Sequence, residues 1–254
     1  MSNKNKHILT IKQIYKDASA IYRPEIRGIA HDVYVVETTN GKNICRFTNK
    51  HTSAHNVWVS RQLQNIGLIV PDVSVHKLDG QYIETYPFIE GKTFHERLIA
   101  GMPEEKRDAV YKQLFDISHK LSQIPYNHKF KTPIHLASKC QTVLFKLLGV
   151  KNKKIYHTDL HAKNIILDDK DNVYALLDLD AVYPEFFSLT LIHLMRDAEQ
   201  YGYDINKIKK FYTPSPQDHL DLEQQIKIYY FLQRMFRFFV NERMYKQLLK
   251  IPLK

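Results

Sequence analysis

The stretch from His157 to Asp180, HTDLHAKNIILDDKDNVYALLDLD, constrains this chain more than any other. An Asp follows the His by two residues, an Asn follows that Asp by five, and another Asp comes fourteen residues after the Asn. Two short apolar runs, Ile165-Ile166-Leu167 and Tyr174-Ala175-Leu176-Leu177, flank the polar DDKDN at 168–172. Apolar runs of strand length on either side of a turn-rich segment read as a β-hairpin. The reading gathers Asp159, Asn164 and Asp178 at one end of a two-stranded ribbon. Phosphoryl transfer needs such a set: one carboxylate for the attacking hydroxyl, and an amide plus a second carboxylate for Mg2+.

The chain before this stretch reads as strands, then helices. Val33–Thr38 is β-branched, 39–42 (TNGK) is a hairpin turn, and Asn43–Phe47 is the return strand. Residues 52–66 place Val57, Leu63 and Ile66 at helical spacing, with Trp58 and Val59 adding to the expected buried face, and Gly67 fits the helix end. Two more strands, 73–76 and 81–86, are joined by Asp79-Gly80. Helices are expected over 93–100, 103–123 and 135–149, and again over 219–250. In the second of these, Tyr111, Leu114, Phe115, Ile117, Ser118 and Leu121 form one buried stripe.

The motif His157-Thr158-Asp159-Leu160-His161-Ala162-Lys163-Asn164, followed by Leu177-Asp178-Leu179-Asp180, resembles the catalytic and metal-binding segment of kinase-like folds. More closely it resembles the aminoglycoside phosphotransferase and choline kinase superfamily, since protein kinases usually carry Lys where His161 stands. An apolar helical pattern, Phe186 to Met195, starts too soon after Asp178 for a long activation segment. The resemblance implies an α+β, two-lobed kinase-like fold: a nucleotide-binding lobe at 1–87, a hinge at 88–91 and a helical lobe at 92–254.

The resemblance also implies roles. Asp159 is the expected catalytic base, and Asn164 and Asp178 the Mg2+ ligands. His157 is expected to anchor the loop. Asp180, at the glycine position of D-F-G, reads as a residue that supports the metal ligands from behind or as a solvated turn residue. Arg46 in Ile44-Cys45-Arg46-Phe47 resembles the strand cation that neutralises nucleotide phosphates. The carbonyl of Pro87 and the N–H of Ile89 would read the adenine of ATP, with GTP left open. The glycine-rich loop is thin: only Gly28 lies within 26–32. Two departures stand out. No Glu lies between 51 and 65 to pair with Arg46; His55 and Asn56 stand near that position. The next helix offers Ser188-Leu189-Thr190 where Asp-Leu-Ala is usual, and Ser can cap but supplies no charge.

The expected activity is transfer of phosphate from ATP to a hydroxyl of a small molecule: an aminoglycoside, an amino-alcohol or a sugar. The aromatic residues Tyr229-Tyr230-Phe231, Phe236, Phe238 and Phe239 read as core, or as acceptor lining if they face the site. Asp197, Glu199 and Asp204 read as a solvated face or as a site for a cationic acceptor. The thin loop and the missing Glu also fit a nucleotide-binding pseudokinase acting as an interaction module, which the intact Asp159, Asn164 and Asp178 oppose. A protein kinase of bacterial effector type is the third reading.

Composition bounds these readings. With 254 residues and 44% hydrophobic content, the chain can build a substantial core. No apolar run approaches the ~20 residues of a membrane span, and the first sixteen residues lack a signal-peptide core, reading instead as a frayed start to an amphipathic segment. The net charge of +10 suits anionic ligands or peripheral contact with an anionic surface, but the lysines are spread rather than gathered, which argues against nucleic acid. Cys45 and Cys140 form no metal-ligand pattern and read as buried, reduced thiols of a cytoplasmic protein, with a disulfide between them left open.

Overall fold

A computed structural model gives the architecture and describes residues 3–24, 32–125, 153–211 and 221–231. The expected helix at 135–149, the loop holding Gly28, Cys140, and Phe236, Phe238 and Phe239 lie outside the described residues. The chain forms two compact units. Unit 1 comprises Met1–Lys131 and Ala162–Val182; unit 2 comprises Thr132–His161 and Tyr183–Lys254.

Unit 1 is built on an antiparallel five-stranded sheet, order β1-β2-β3-β5-β4. The strands are β1 (Ala20–Tyr22), β2 (Asp32–Thr38), β3 (Gly41–Thr48), β4 (Ser74–Leu78) and β5 (Gln81–Pro87). The turns lie where glycine and Asn-Gly predicted them: Gly41 and Gly80 both have positive φ. The amphipathic segment expected near the N-terminus forms helix α1 (Asn3–Ile14). Ile11 on α1 packs with Tyr34, Val36, Cys45, Phe47 and Ile83 in one apolar core. Because strand side chains alternate, Arg46 and Glu84 point away from that core, although both are buried.

Helix α2 (Lys50–Asn65) follows β3 and is capped by Asn49, whose side chain accepts from the N–H groups of His51 and Thr52. Its buried face corrects the sequence reading. Val59 and Leu63 are buried, but Val57, Trp58 and Ile66 are only half-buried, and the remaining buried side chains are Ser53, His55, Asn56 and Ser60. Apolar spacing missed them because the surface they meet is itself polar. After β5 come β6 (Lys92–Thr93), α3 (Phe94–Ile99) and α4 (Glu104–Ser122). Thr93 and Glu96 form a capping box for α3. The expected stripe from Tyr111 to Leu121 is the buried face of α4.

The predicted hairpin is present. Strands β8 (Ile165–Leu167) and β9 (Val173–Leu176) pair antiparallel, and β6 joins them to give the order β6-β8-β9. Asp168 closes the turn by accepting from the N–H groups of Lys170 and Asn172. A parallel bridge between Ile69 and Ala175 ties the hairpin to the segment after α2.

Unit 2, among its described residues, pairs β7 (Lys153–His157) with β10 (Val182–Phe186), whose first residue belongs to unit 1. It adds α5 (Phe187–Gln200), α6 (Ile205–Lys209) and helical residues 222–231. Phe186, Ile192 and Tyr229 share a core. Ser188 is not the cap of α5: Phe186 holds that position with no side-chain cap, and the Glu185 carboxylate accepts the Phe186 N–H. Among the described residues, no helix is long and apolar enough to cross a membrane.

Gly91 is required by space as well as by backbone conformation. Its φ is +143°, and a Cβ there would meet Ile166 Cγ2 at 2.5 Å and the Leu167 carbonyl oxygen at 3.1 Å. Gly91→Ala should therefore lower the unfolding free energy by roughly 1–3 kcal/mol, the usual cost of overpacking. Urea denaturation measures this; an unchanged midpoint would show that β8 yields without cost.

Candidate active site

The site residues of unit 1 start from the open end of the hairpin. The Leu177 N–H donates to the Asn164 carbonyl at 2.9 Å, one pair beyond Ile165 opposite Leu176. Asn164 and Asp178 therefore leave the ribbon from adjacent backbone positions. Asp178 then takes a left-handed conformation, φ 58° and ψ 61°. Among the described residues, the other two non-glycine residues with positive φ, Asp79 and Asp171, sit in hairpin turns, whereas Asp178 leads into a short 3-10 turn, Leu179–Ala181. Such a conformation costs free energy and persists where the surroundings impose it.

Those surroundings centre on Arg46. Its Nη1 donates to Asp180 Oδ1 at 2.6 Å, and its Nη2 donates to the second oxygen of the same carboxylate. Nη1 lies 3.7 Å from Glu84 Oε2, and Nη2 lies 3.9 Å from Asp178 Oδ1. Burial alone would make this guanidinium easier to deprotonate, but the hydrogen bonds and charge of Asp180, and then the charge of Glu84, hold its proton more tightly than usual. Glu84 is fully buried. It stands directly opposite Arg46 in the β3–β5 register, and the Asn56 amide donates to both of its oxygens at 3.0 and 3.1 Å. Burial raises the Glu84 pKa above the ordinary carboxylate value, and Arg46 and Asn56 pull it back.

The acid partner of the strand cation thus comes from β5, not from the helix. Sequence reasoning missed Glu84 because cross-strand register between β3 and β5 is not visible in spacing. Asn56, which occupies the helix position, serves Glu84 instead. His55 is also buried on α2, which packs against the Leu179–Ala181 turn; burial lowers its pKa, and the backbone of Val182 and Leu179 opposes the shift.

At the end of β5, the Phe88 N–H donates to the Lys42 carbonyl at 2.9 Å. This bond extends the β3–β5 ladder past Asn43 opposite Pro87. Pro87 is exposed and Ile89 half-buried.

In unit 2, Asp159 follows β7. Its N–H donates to Nδ1 of the fully buried His157 at 3.3 Å. The Asp159 carboxylate is half-exposed, with Oδ2 3.5 Å from His161 Nε2. A hydrogen bond from His161 is the chief reason its pKa falls below the ordinary range; burial opposes this, and the charges of His161, His157 and His193 add to it. His193 on α5 is a member of this group that sequence reasoning did not single out. Burial depresses its pKa, and its ring meets Tyr229 edge-on. Tyr229 is buried, whereas Tyr230 and Phe231 are exposed. Asp204 accepts from the Asn206 N–H and caps α6.

No three His, Cys, Asp or Glu side chains form a metal-ligating group among the described residues. Mg2+ does not require one, since it is commonly held by one or two protein oxygens together with waters and phosphates. Asn164 and Asp178, hard oxygen donors from adjacent backbone positions, suit that mode.

The comparisons with known proteins agree with this architecture. The GDP and kanamycin complex of APH(2")-IIia superposes with a TM-score of 0.64 at 14% identity, covering 95% of this chain and 93% of that one. Spectinomycin phosphotransferase APH(9)-Ia, with ADP and spectinomycin, gives 0.60 at 13%, covering 90% and 84%. The streptomycin–ATP–APH(2")-IIa ternary complex gives 0.59 at 13%, covering 93% of each chain. The chain has the fold of the aminoglycoside phosphotransferases. This is the α+β kinase-like class expected from the motif. No protein-family model matches the sequence, and no curated protein matches it.

The His161 contact gives a direct test. Removing it by His161→Ala should raise the Asp159 pKa toward the ordinary carboxylate range of about 3.9, read from the carboxyl 13C shift of Asp159. The native pKa is depressed, so the stabilisation is present above the ordinary value and is lost as pH falls through the native one. The stability gap between parent and His161→Ala should accordingly close on acidification. An unshifted titration would assign the depression to another group.

Proposed function

We propose that this protein is a phosphotransferase that uses ATP and Mg2+ to phosphorylate a hydroxyl of a small molecule. The observation that carries the reading is the hairpin end, where Asn164 and Asp178 emerge side by side and Asp178 is held left-handed. In this reading Asn164 and Asp178 would hold Mg2+, which when bound offsets the charge of the nucleotide phosphates. Asp159, ionised and half-exposed, orients the acceptor hydroxyl and takes up its proton. His157 holds the Asp159 loop through Nδ1.

On the nucleotide side, residues 1–87 form the binding lobe, 88–91 the hinge and 92–254 the helical lobe. The Pro87 carbonyl and the Ile89 N–H would read the base, Gly28 is the expected contributor to phosphate binding, and GTP is the other nucleotide to test. Structures of the same fold contain ADP, ATP or GDP together with an aminoglycoside. This supports a nucleotide donor and a small acceptor that carries a hydroxyl, a description that an amino-alcohol or a sugar also meets. A cytoplasmic location fits such an enzyme. The pseudokinase reading is favoured by one observation, the engagement of Arg46 by Asp180.

Two substitutions separate these readings. Asp178→Ala should abolish Mg2+-dependent nucleotide binding in isothermal titration. Asp159→Asn should bind Mg-ATP like the parent yet lose about 10²- to 10⁴-fold in turnover, the usual worth of a general base. Wild-type affinity in Asp178→Ala, or a less than tenfold loss in Asp159→Asn, removes the respective assignment. Nucleotide binding without turnover on any acceptor panel would establish the pseudokinase.

A further inference from the structure

The resemblance makes Arg46 a ligand of the nucleotide phosphates, but its environment is that of a residue already committed. It is 8% exposed. Both terminal nitrogens bond to Asp180, and Glu84 and Asp178 stand at 3.7 and 3.9 Å. One guanidinium thus faces three carboxylates, and an incoming phosphate would meet their combined repulsion. Arginine's planar fork suits the two oxygens of a single carboxylate, and such pairing fixes direction as well as distance. What it fixes is the segment 178–180. Helix α2, which carries the buried His55, packs against the same segment. Glu84 in turn is held by Asn56, so β3, β5 and α2 all contribute to one support behind a residue whose backbone is strained.

We propose that Arg46, Glu84 and Asp180 are positioning residues: they brace the loop that follows Asp178, hold Asp178 in its left-handed conformation, and so set metal affinity rather than nucleotide affinity. The proposal deepens the phosphotransferase reading and rests on it for the metal. It assigns Asp180 a role through Arg46, distinct from direct support of the metal ligands and from a solvated turn residue. It also turns the relocated acid Glu84 into the residue that keeps Arg46 aimed at the loop.

The test uses the full chain as parent, Arg46→Ala, Arg46→Lys, Asp180→Ala and the Arg46→Ala/Asp180→Ala double variant. Without ligand, amide hydrogen exchange over 178–182 should be about tenfold faster in each single variant, because a local tie is lost, and no faster in the double variant, because both singles remove the same interaction. With saturating ADP, the Mn2+ dissociation constant read by electron paramagnetic resonance should rise about 10- to 100-fold, the usual effect of losing outer support of a metal ligand. ADP affinity in EDTA should stay within about twofold, as expected if the lost interaction acts on the metal ligand alone. Arg46→Lys should behave like Arg46→Ala, since an ammonium cannot grip two oxygens as the fork does. If Arg46→Ala fails to fold, Asp180→Asn, nearly isosteric and with a side chain 17% exposed, carries the same measurements. Unchanged exchange at 178–182 together with weakened metal-free ADP binding in Arg46→Ala would overturn the proposal and make Arg46 a phosphate ligand. A parent that binds no Mn-ADP would instead refute the phosphotransferase reading, and the brace would still be decided by exchange.

Discussion

A guanidinium out of water is tolerated only when its hydrogen bonds and charge are answered, and in unit 1 the network that holds Arg46 is assembled from four places in the chain. β3 supplies the cation, β5 the opposing Glu84, α2 the Asn56 amide, and the loop after the hairpin the bidentate Asp180. Breaking a buried pair by removing one partner typically costs about 3–5 kcal/mol. The sheet, the helix and the loop therefore cannot take their native places independently. Glu84 makes the point from the other side. It would be costly to bury alone, and Arg46 and Asn56 are what make a fully buried carboxylate tenable.

That network explains which parts of the fold were legible. Strands and turns were, because they rest on local chemistry: β-branched runs at 33–38, glycine at 41 and 80, apolar runs either side of 168–172. The stripe on α4 was legible because its buried residues pack on apolar neighbours, so spacing and burial coincide. On α2 they part company. Ser53, His55, Asn56 and Ser60 are buried while Trp58 is only half so, since the helix packs its polar side toward a charged network. A rule that counts apolar positions cannot see a face whose partners are polar. The pairing of Arg46 with Asp180 spans 134 residues. Nothing local in Leu177-Asp178-Leu179-Asp180 announces it.

The candidate site divides in the same way. The spacing of Asn164 and Asp178 was enough to put both at the open end of the hairpin, because strand pairing converts sequence distance into proximity: Ile165 opposite Leu176 leaves 164 and 177 as the next pair. The conformation of Asp178 was not legible, since Asp has only a modest tolerance for the left-handed region and takes it here under tertiary constraint. In unit 2, the motif gave Asp159 and His157 but not the electrostatic setting. The lowered pKa of Asp159 depends first on His161, two residues away in sequence, and then on His157 and on His193, which lies on α5.

The fold and the ion pair bear differently on function. A shared fold at 13–14% identity carries over the layout of strands and helices, not the acceptor, since unrelated chemistries recur on one scaffold. The electrostatic requirement is more portable than the residues that meet it. A buried strand cation needs an anion within about 4 Å, but the helix after β3 and the neighbouring strand β5 can each present one. Here Glu84 does so from the strand, and the helix position is free to carry Asn56, which stabilises the transposed acid. A pattern that expects Glu on the helix reads the change as a loss. In the structure the charge sits on an adjacent element, and with Asp180 on its other side Arg46 is held by a frame of carboxylates, the arrangement from which a structural hold on Asp178, rather than contact with a phosphate, is proposed.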